Sequence, residues 1–167
     1  MDFGILGPIR VTDSDGVIEI HGAKPRATLA LLLLHNNRAV SISQLVDSLW
    51  ADDPPRGARM AVQGHIKRLR QMLGRDFATR LETRPPGYRL AIADGELDLN
   101  LFQDLVRRGR SAAAYGRWEQ AAGHLAEALL LWRGEPLQDV PQSPSLRNEA
   151  ERLTELRLQT TEWRIDA

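Results

Sequence analysis

Two consecutive prolines, Pro85 and Pro86, interrupt the extended stretch "TRLETRPPGYRLAI" at 79–92 and constrain everything around them. The residues on either side favour strands, and proline cannot donate to a sheet ladder, so the prolines belong at the exposed tip of a hairpin. Before that hairpin the apolar spacing is helical three times over. "KPRATLALLLLHNN" at 24–37 places Pro25 in a first turn and Asn36 or Asn37 where a left-handed residue ends a helix. "VSISQLVDSLW" at 40–50 has the capping-box spacing at Ser41 and Gln44, and Val40 and Leu45 are placed to close a hydrophobic staple. After "ADDPPRG", a third helix is predicted from about Ala58 to Leu73, with Val62, Ile66, Leu69 and Leu73 on one face. Short antiparallel strands come first, in "DFGILG", "PIRVT" and "VIEI", with "DSDG" at 13–16 as a turn.

Strands, three helices and a hairpin in that order make a winged helix-turn-helix. "ADGELD" at 93–98 reads as the junction, after which strand signals stop. Helical periods follow at Leu99, Phe102, Leu105 and Val106, and again from Trp118 to Trp132, and a last helix is expected from about Leu146 to Ile165. Tyr115 and Gly116 make a small turn between the first two, with alanines at the crossing points, as in a tetratricopeptide unit. Trp118 and Trp132 are both expected in the core. The fold class is therefore mainly α with small β-sheets: a winged helix at 1–93, then an all-α, tetratricopeptide-like domain at 94–167. Such units stack on neighbours, so further helices are expected beyond Ala167 or from a partner.

The charge distribution sharpens the division. Formal net charge is zero, yet residues 1–93 hold 13 Lys and Arg against 9 Asp and Glu, and residues 94–167 hold 9 against 13. The first half thus favours polyanions and the second repels them. Within the first half, no acid occurs between Arg56 and Arg75. With Val62 at zero on a helical wheel, Ile66, Leu69 and Leu73 fall within about 40° of it and form the core stripe. Gln63 and Arg70 flank one side, Arg68 flanks the other, and Lys67 and Gln71 lie opposite. A merely solvated helix usually mixes in acids for i,i+4 pairs. Duplex DNA supplies the missing negative partner, since its major groove admits a helix and arginine matches guanine O6 and N7. Gly64 costs about 1 kcal/mol in a helix interior relative to alanine, a loss that either suits close approach to a partner or marks a weak surface position. Arg84 and Arg89 bracket the hairpin, where a wing would meet the adjacent backbone or minor groove.

The segments "SISQLVDSLW", "PPRGARMAVQGHIKRLRQML" and "TRPPGYRL" resemble the OmpR/PhoB-type winged helix, and "WEQAAGHLAEALLLWRGEPL" resembles the bacterial transcriptional activation domain that follows it in the Streptomyces antibiotic regulatory protein (SARP) family. That resemblance implies a DNA-binding activator of a secondary-metabolite, antibiotic-type gene cluster, bound to direct repeats in double-stranded DNA and recruiting RNA polymerase subunits. It implies Arg68 as base reader, Gln63 as a second reader, Lys67, His65, Arg70 and Arg84 as backbone contacts, and Trp50 and Tyr88 as further members of the interface. Met60 stands where the family's third helix often has a polar or basic residue, and Arg59 beside it is the substitute anchor. A second copy on the same DNA would sit head to tail, and control by a phosphorylated receiver domain is not expected.

No enzymatic, metal or cofactor chemistry is expected. His21, His35, His65 and His124 are dispersed without an HExxH pattern, Asp52 and Asp53 precede Pro54 and Pro55 as helix caps would, and no P-loop, GxGxxG or GxSxG is present. The absence of cysteine fits a reducing cytoplasm, and the longest apolar run, "LALLLL", is far short of the ~20 residues that span a bilayer. The rival expectation is a helical scaffold whose winged helix contacts protein or RNA, against which the basic third helix argues.

Overall fold

The computed structural model describes residues 1–166. Strands β1 (Asp2–Gly4), β2 (Arg10–Asp13) and β3 (Gly16–Ile18) form an antiparallel sheet in that order, with Phe3 opposite Val11 and Val11 opposite Ile18. Helix α1 (Ala23–Leu34) follows with Pro25 in its first turn, and Leu29, Leu31, Leu32 and Leu33 are all buried because the helix is enclosed on every side. Asn37 takes the left-handed conformation at φ 62°, and its side chain both donates to the Ile92 carbonyl and accepts from the Ile92 amide.

The capping box forms as the sequence requires: the Gln44 amide donates to Ser41 Oγ at 3.0 Å, and the Ser41 amide to Gln44 Oε1 at 2.9 Å. It opens α2 (Ile42–Trp50). Residues just before it pair as a short strand, β4 (Ala39–Ser41), which the apolar pattern alone did not reveal. A second sheet then assembles in the order β4-β6-β5 from β5 (Leu81–Arg84) and β6 (Gly87–Leu90), so the proline-tipped wing is a hairpin anchored by a third strand. Gly87 is needed where the sheet closes, because a Cβ there would lie 1.8 Å from the Val40 carbonyl oxygen.

Helix α3 (Ala58–Arg80) is interrupted at Gly74, whose φ of 81° breaks the helical path one residue after the predicted end at Leu73. Its buried residues include Val62, Ile66, Leu69 and Leu73, the predicted stripe. After the break one further turn carries Phe77 into the core, where its ring lies 6.2 Å from that of Phe3. The N-cap of α3 is Gly57 without a side-chain bond, so Asp52 and Asp53 do not cap it, contrary to expectation. Both remain exposed in the loop.

The second half consists of α4 (Asp98–Ala114), α5 (Trp118–Leu130) and α6 (Pro144–Asp166). The first two form a close hairpin in which a Cβ on Gly109 would meet Leu125 at 2.8 Å. Trp132 is buried and meets Phe102 edge-on at 5.3 Å. Trp118 corrects the expectation of a core residue: it is 54% exposed, because it begins α5 next to the turn instead of facing α4.

A single hydrophobic cluster runs from Phe3 through α1 and α3 to Leu146 and Leu153. Polar bonds reinforce the seam. The Phe3 amide donates to the Glu96 carbonyl, the Ile5 and Leu6 amides donate to the Asp98 carboxylate at 2.9 and 3.0 Å, and the Arg133 amide donates to the Leu6 carbonyl. Arg133 and Arg80 reach Asp98 and Glu96 with their guanidinium groups. The stretch read as a junction therefore supplies two carboxylates that tie the chain's first residues to the helical half.

Candidate nucleic-acid interface

The inner stripe of α3 fixes the helix against α1 and α2, and this anchoring presents its other face outward. Arg59, Gln63, Gly64, Lys67, Arg68 and Gln71 are exposed there. Met60, 76% exposed, lies among them and offers no charge. Among the described residues Lys67 and Arg68 have no carboxylate within ion-pair distance, in contrast to Arg80 on the same helix, which meets Asp76 and Glu96. Arg59 makes one long bond, to Ser43 Oγ at 3.3 Å. Nothing lies within 4 Å of where a Gly64 side chain would begin, so packing within the chain does not explain that glycine.

The remaining sequence-predicted residues play different parts. Arg70 is half-buried: it donates to the Leu81 carbonyl and to Thr83 Oγ1, and its guanidinium lies over the Tyr88 ring at 5.9 Å. These bonds bind α3 to the wing. Tyr88 is 7% exposed and supports that guanidinium from below. Arg84 projects from the wing, pairing with Glu82, which also takes Arg89. The Arg84 bond, with Arg89 assisting, holds the Glu82 carboxyl below the usual carboxylate range.

His65 stacks on Trp50 with ring centroids 6.3 Å apart, and its Nε2 is buried without a partner. Burial first, then the charges of Arg68 and Lys24, push its pKa below the ordinary imidazole value. Both effects disfavour the cationic form of the ring. Lys24 completes this stack: its Nζ lies 5.0 Å from the Trp50 ring centroid and donates to the Leu49 carbonyl at 2.7 Å. Burial lowers its pKa. Sequence reading missed Lys24 because its partners lie a whole helix away, and only the first-turn position in α1 hinted at it.

Chemically, the exposed face offers guanidinium and ammonium donors, two amide side chains and a gap at Gly64, all on one helix. It can donate to phosphate oxygens and to acceptor atoms of base edges. No group of three or more His, Cys, Asp or Glu suited to a metal occurs among the described residues, and no helix is long and apolar enough to cross a membrane.

Two families match: "Transcriptional regulatory protein, C terminal" over residues 21–90 and "Bacterial transcriptional activator domain" over residues 97–167. The chain is similar to the transcriptional regulatory protein EmbR of Mycobacterium tuberculosis, 41% identical over 143 residues, which make up 84% of this chain and 37% of that protein. It is similar to the regulatory protein AfsR of Streptomyces griseus, 37% identical over 98% of this chain and 16% of that protein. It is also similar to the regulatory protein DnrI of Streptomyces peucetius, 29% identical over 99% of this chain and 64% of that protein. The solved structure of M. tuberculosis EmbR in complex with a low-affinity phosphopeptide superposes with a TM-score of 0.89 at 38% identity, covering 96% of this chain and 43% of that one. The chain thus spans well under half the length of EmbR and AfsR. All three relatives are named as regulatory proteins.

Proposed function

The chain belongs to the SARP family of transcriptional regulators, and from that premise we propose that it is a sequence-specific activator in which 1–93 reads duplex DNA and 94–167 contacts the transcription machinery. Helix α3 enters the major groove. Arg68 reads a base, Gln63 a second, Lys67 and Arg59 hold phosphates, and Arg84 on the wing meets the adjacent backbone. Arg70 and Tyr88 set the angle between helix and wing. Trp50, His65 and Lys24 support the helix from below. The partners are direct repeats in promoter DNA, RNA polymerase, and a second copy head to tail on the repeat, which places the protein on the nucleoid in the cytoplasm. The similarity to AfsR and DnrI supports an antibiotic-type biosynthetic cluster as the target.

One observation supports this reading most: the exposed face of α3 holds Lys67 and Arg68 with no carboxylate among the described residues to neutralise them. A solvated face binding nothing would not need an acid-free stretch or an open Gly64. Electrophoretic titration against the chain's own upstream region and a random duplex, at two salt concentrations, tests it. Tighter binding to the upstream duplex, with affinity falling steeply as salt rises, is expected. Absent or salt-independent duplex binding would favour the scaffold reading.

A further inference from the structure

Over residues 1–93 only two large apolar side chains are left exposed among the described residues, Val17 at 69% and Met60 at 76%. Val17 lies on strand β3, and Met60 lies on α3. The other methionines, Met1 and Met72, pack against the hydrophobic cluster. A lone exposed methionine is ordinary on a protein surface. The place of this one on the helix is not. On the wheel with Val62 at zero, Met60, Gly64, Lys67 and Gln71 all fall within about 40° of the direction opposite the core. All four are exposed, and they form the outermost line of the helix. That line opens on an apolar side chain and a bare position, and its first charge comes only at Lys67. Helical side chains lean back toward the N-terminus, so a side chain at 64 would lie over the turn that carries Met60. Gly64 has none, and nothing lies within 4 Å of where one would begin, which leaves Met60 open to whatever approaches the helix.

We propose that Met60 contacts the 5-methyl group of a thymine and so selects thymine at one position of the recognised duplex. The assignment rests on the DNA-reading proposal above. In the major groove guanine presents the N7 and O6 acceptors, cytosine an N4 donor, and adenine an N7 acceptor with an N6 donor. Thymine alone adds a methyl group, beside its O4 acceptor. The Met60 thioether donates no hydrogen bond and accepts only weakly. Set against a guanine, adenine or cytosine edge it would strip water from polar atoms and return no bond, which costs free energy. Set against the thymine methyl it removes two apolar surfaces from water at once. Its three rotatable bonds let the side chain follow the methyl along the groove. Gln63, three residues further on, is its neighbour on the helix surface and carries the amide that matches adenine N6 and N7. Met60 and Gln63 thus complement the two bases of A·T pairs.

The test uses the whole chain and a duplex from its own upstream region, made once with thymine and once with deoxyuridine in its place. Uracil keeps the O4 acceptor and the pairing with adenine and lacks only the methyl. Wild type should bind the uracil duplex about fourfold or more weakly, the effect of one buried methyl. Met60→Gln, an exposed change between two good helix formers, should bind the thymine duplex more weakly by a similar factor and lose nothing further with uracil. Met60→Leu keeps an apolar side chain and should keep the sensitivity to uracil. A random duplex should bind wild type and Met60→Gln alike, with either base, because phosphate contacts carry that binding. An equal loss to uracil in wild type and Met60→Gln overturns the proposal. So does a wild-type chain that prefers its upstream duplex yet ignores the exchange, and that result leaves the reading of DNA by α3 standing. A chain with no preference for its upstream duplex defeats that reading as well.

Discussion

Helix α3 carries arginines with two fates, and the contrast separates charges left open to solvent from charges that hold the fold. At its C-terminal end Arg80 is bonded to Glu96 and Asp76, and these bonds, the Glu96 one foremost, raise its pKa. Along the same seam Arg133 meets Asp98 and Arg26 meets Asp139. Three turns earlier on α3, Arg68 and Lys67 face outward with no carboxylate in range among the described residues. The residue types are the same. The difference lies in whether a carboxylate from another element is delivered to them, and the seam consumes its charges while the exposed face of α3 leaves them available.

That contrast can be broken from the seam side with the larger effect. Asp98 accepts from the Ile5 and Leu6 amides, and burial outweighs those bonds and Arg133 to push its pKa above the ordinary aspartate value. Asp98→Ala would strand two amide donors in a part-buried site, so a loss of about 3 kcal/mol is expected in urea unfolding, with the duplex affinity of the folded protein unchanged. If stability hardly moved, the seam would be a surface decoration.

From the recognition side the expected losses are in binding. Lys67→Ala should weaken every duplex sequence alike and reduce the slope of log affinity against log salt by about one unit, with no change in melting temperature. Gly64→Ala sharpens the contrast because its two readouts should move oppositely. Its Cβ meets nothing, so the helix should gain up to about 1 kcal/mol. Duplex affinity should fall if the gap admits the groove wall, and a gain in stability with unchanged affinity would reduce Gly64 to a weak surface position.

The smallest effect concerns acid. The Glu96 carboxyl is held below the usual carboxylate range chiefly by its bond from Arg80. Its stabilising contribution is present above the ordinary carboxylate pKa and is lost as pH falls through the depressed one. Stability should therefore decline on acidification below the usual carboxylate range, and Glu96→Gln should flatten that decline in pH-dependent melting. Asp98, shifted the other way, gives the opposite slope at higher pH.

The exposed basic face of α3 was legible in the sequence because every feature that defines it is local: the spacing of Val62, Ile66, Leu69 and Leu73, and the absence of acids from Arg56 to Arg75. The wing was legible for the same reason, in two prolines and a glycine. What escaped was long-range. Nothing near Tyr88 or Arg70 in sequence says that one will lie under the other, and Lys24 meets Trp50 only when α1 and α2 pack. Strand β4 was hidden because three residues beside a strong cap read as the start of α2. Trp118 was placed in the core because helical spacing gives a face but not its neighbours, and the residue that opens a helix has lost one of them. "ADGELD" looked like a linker because acids and glycine are what linkers contain, and only the fold brings Glu96 and Asp98 to the amides of residues 3–6.

The most direct test is the affinity of wild type and Arg68→Ala for the cognate duplex and a scrambled one under the same salt. A loss of about 1 to 3 kcal/mol on the cognate duplex alone is expected, with scrambled binding and thermal stability unchanged. Equal losses on both duplexes would contradict the reading role of Arg68 and leave α3 a nonspecific cationic surface.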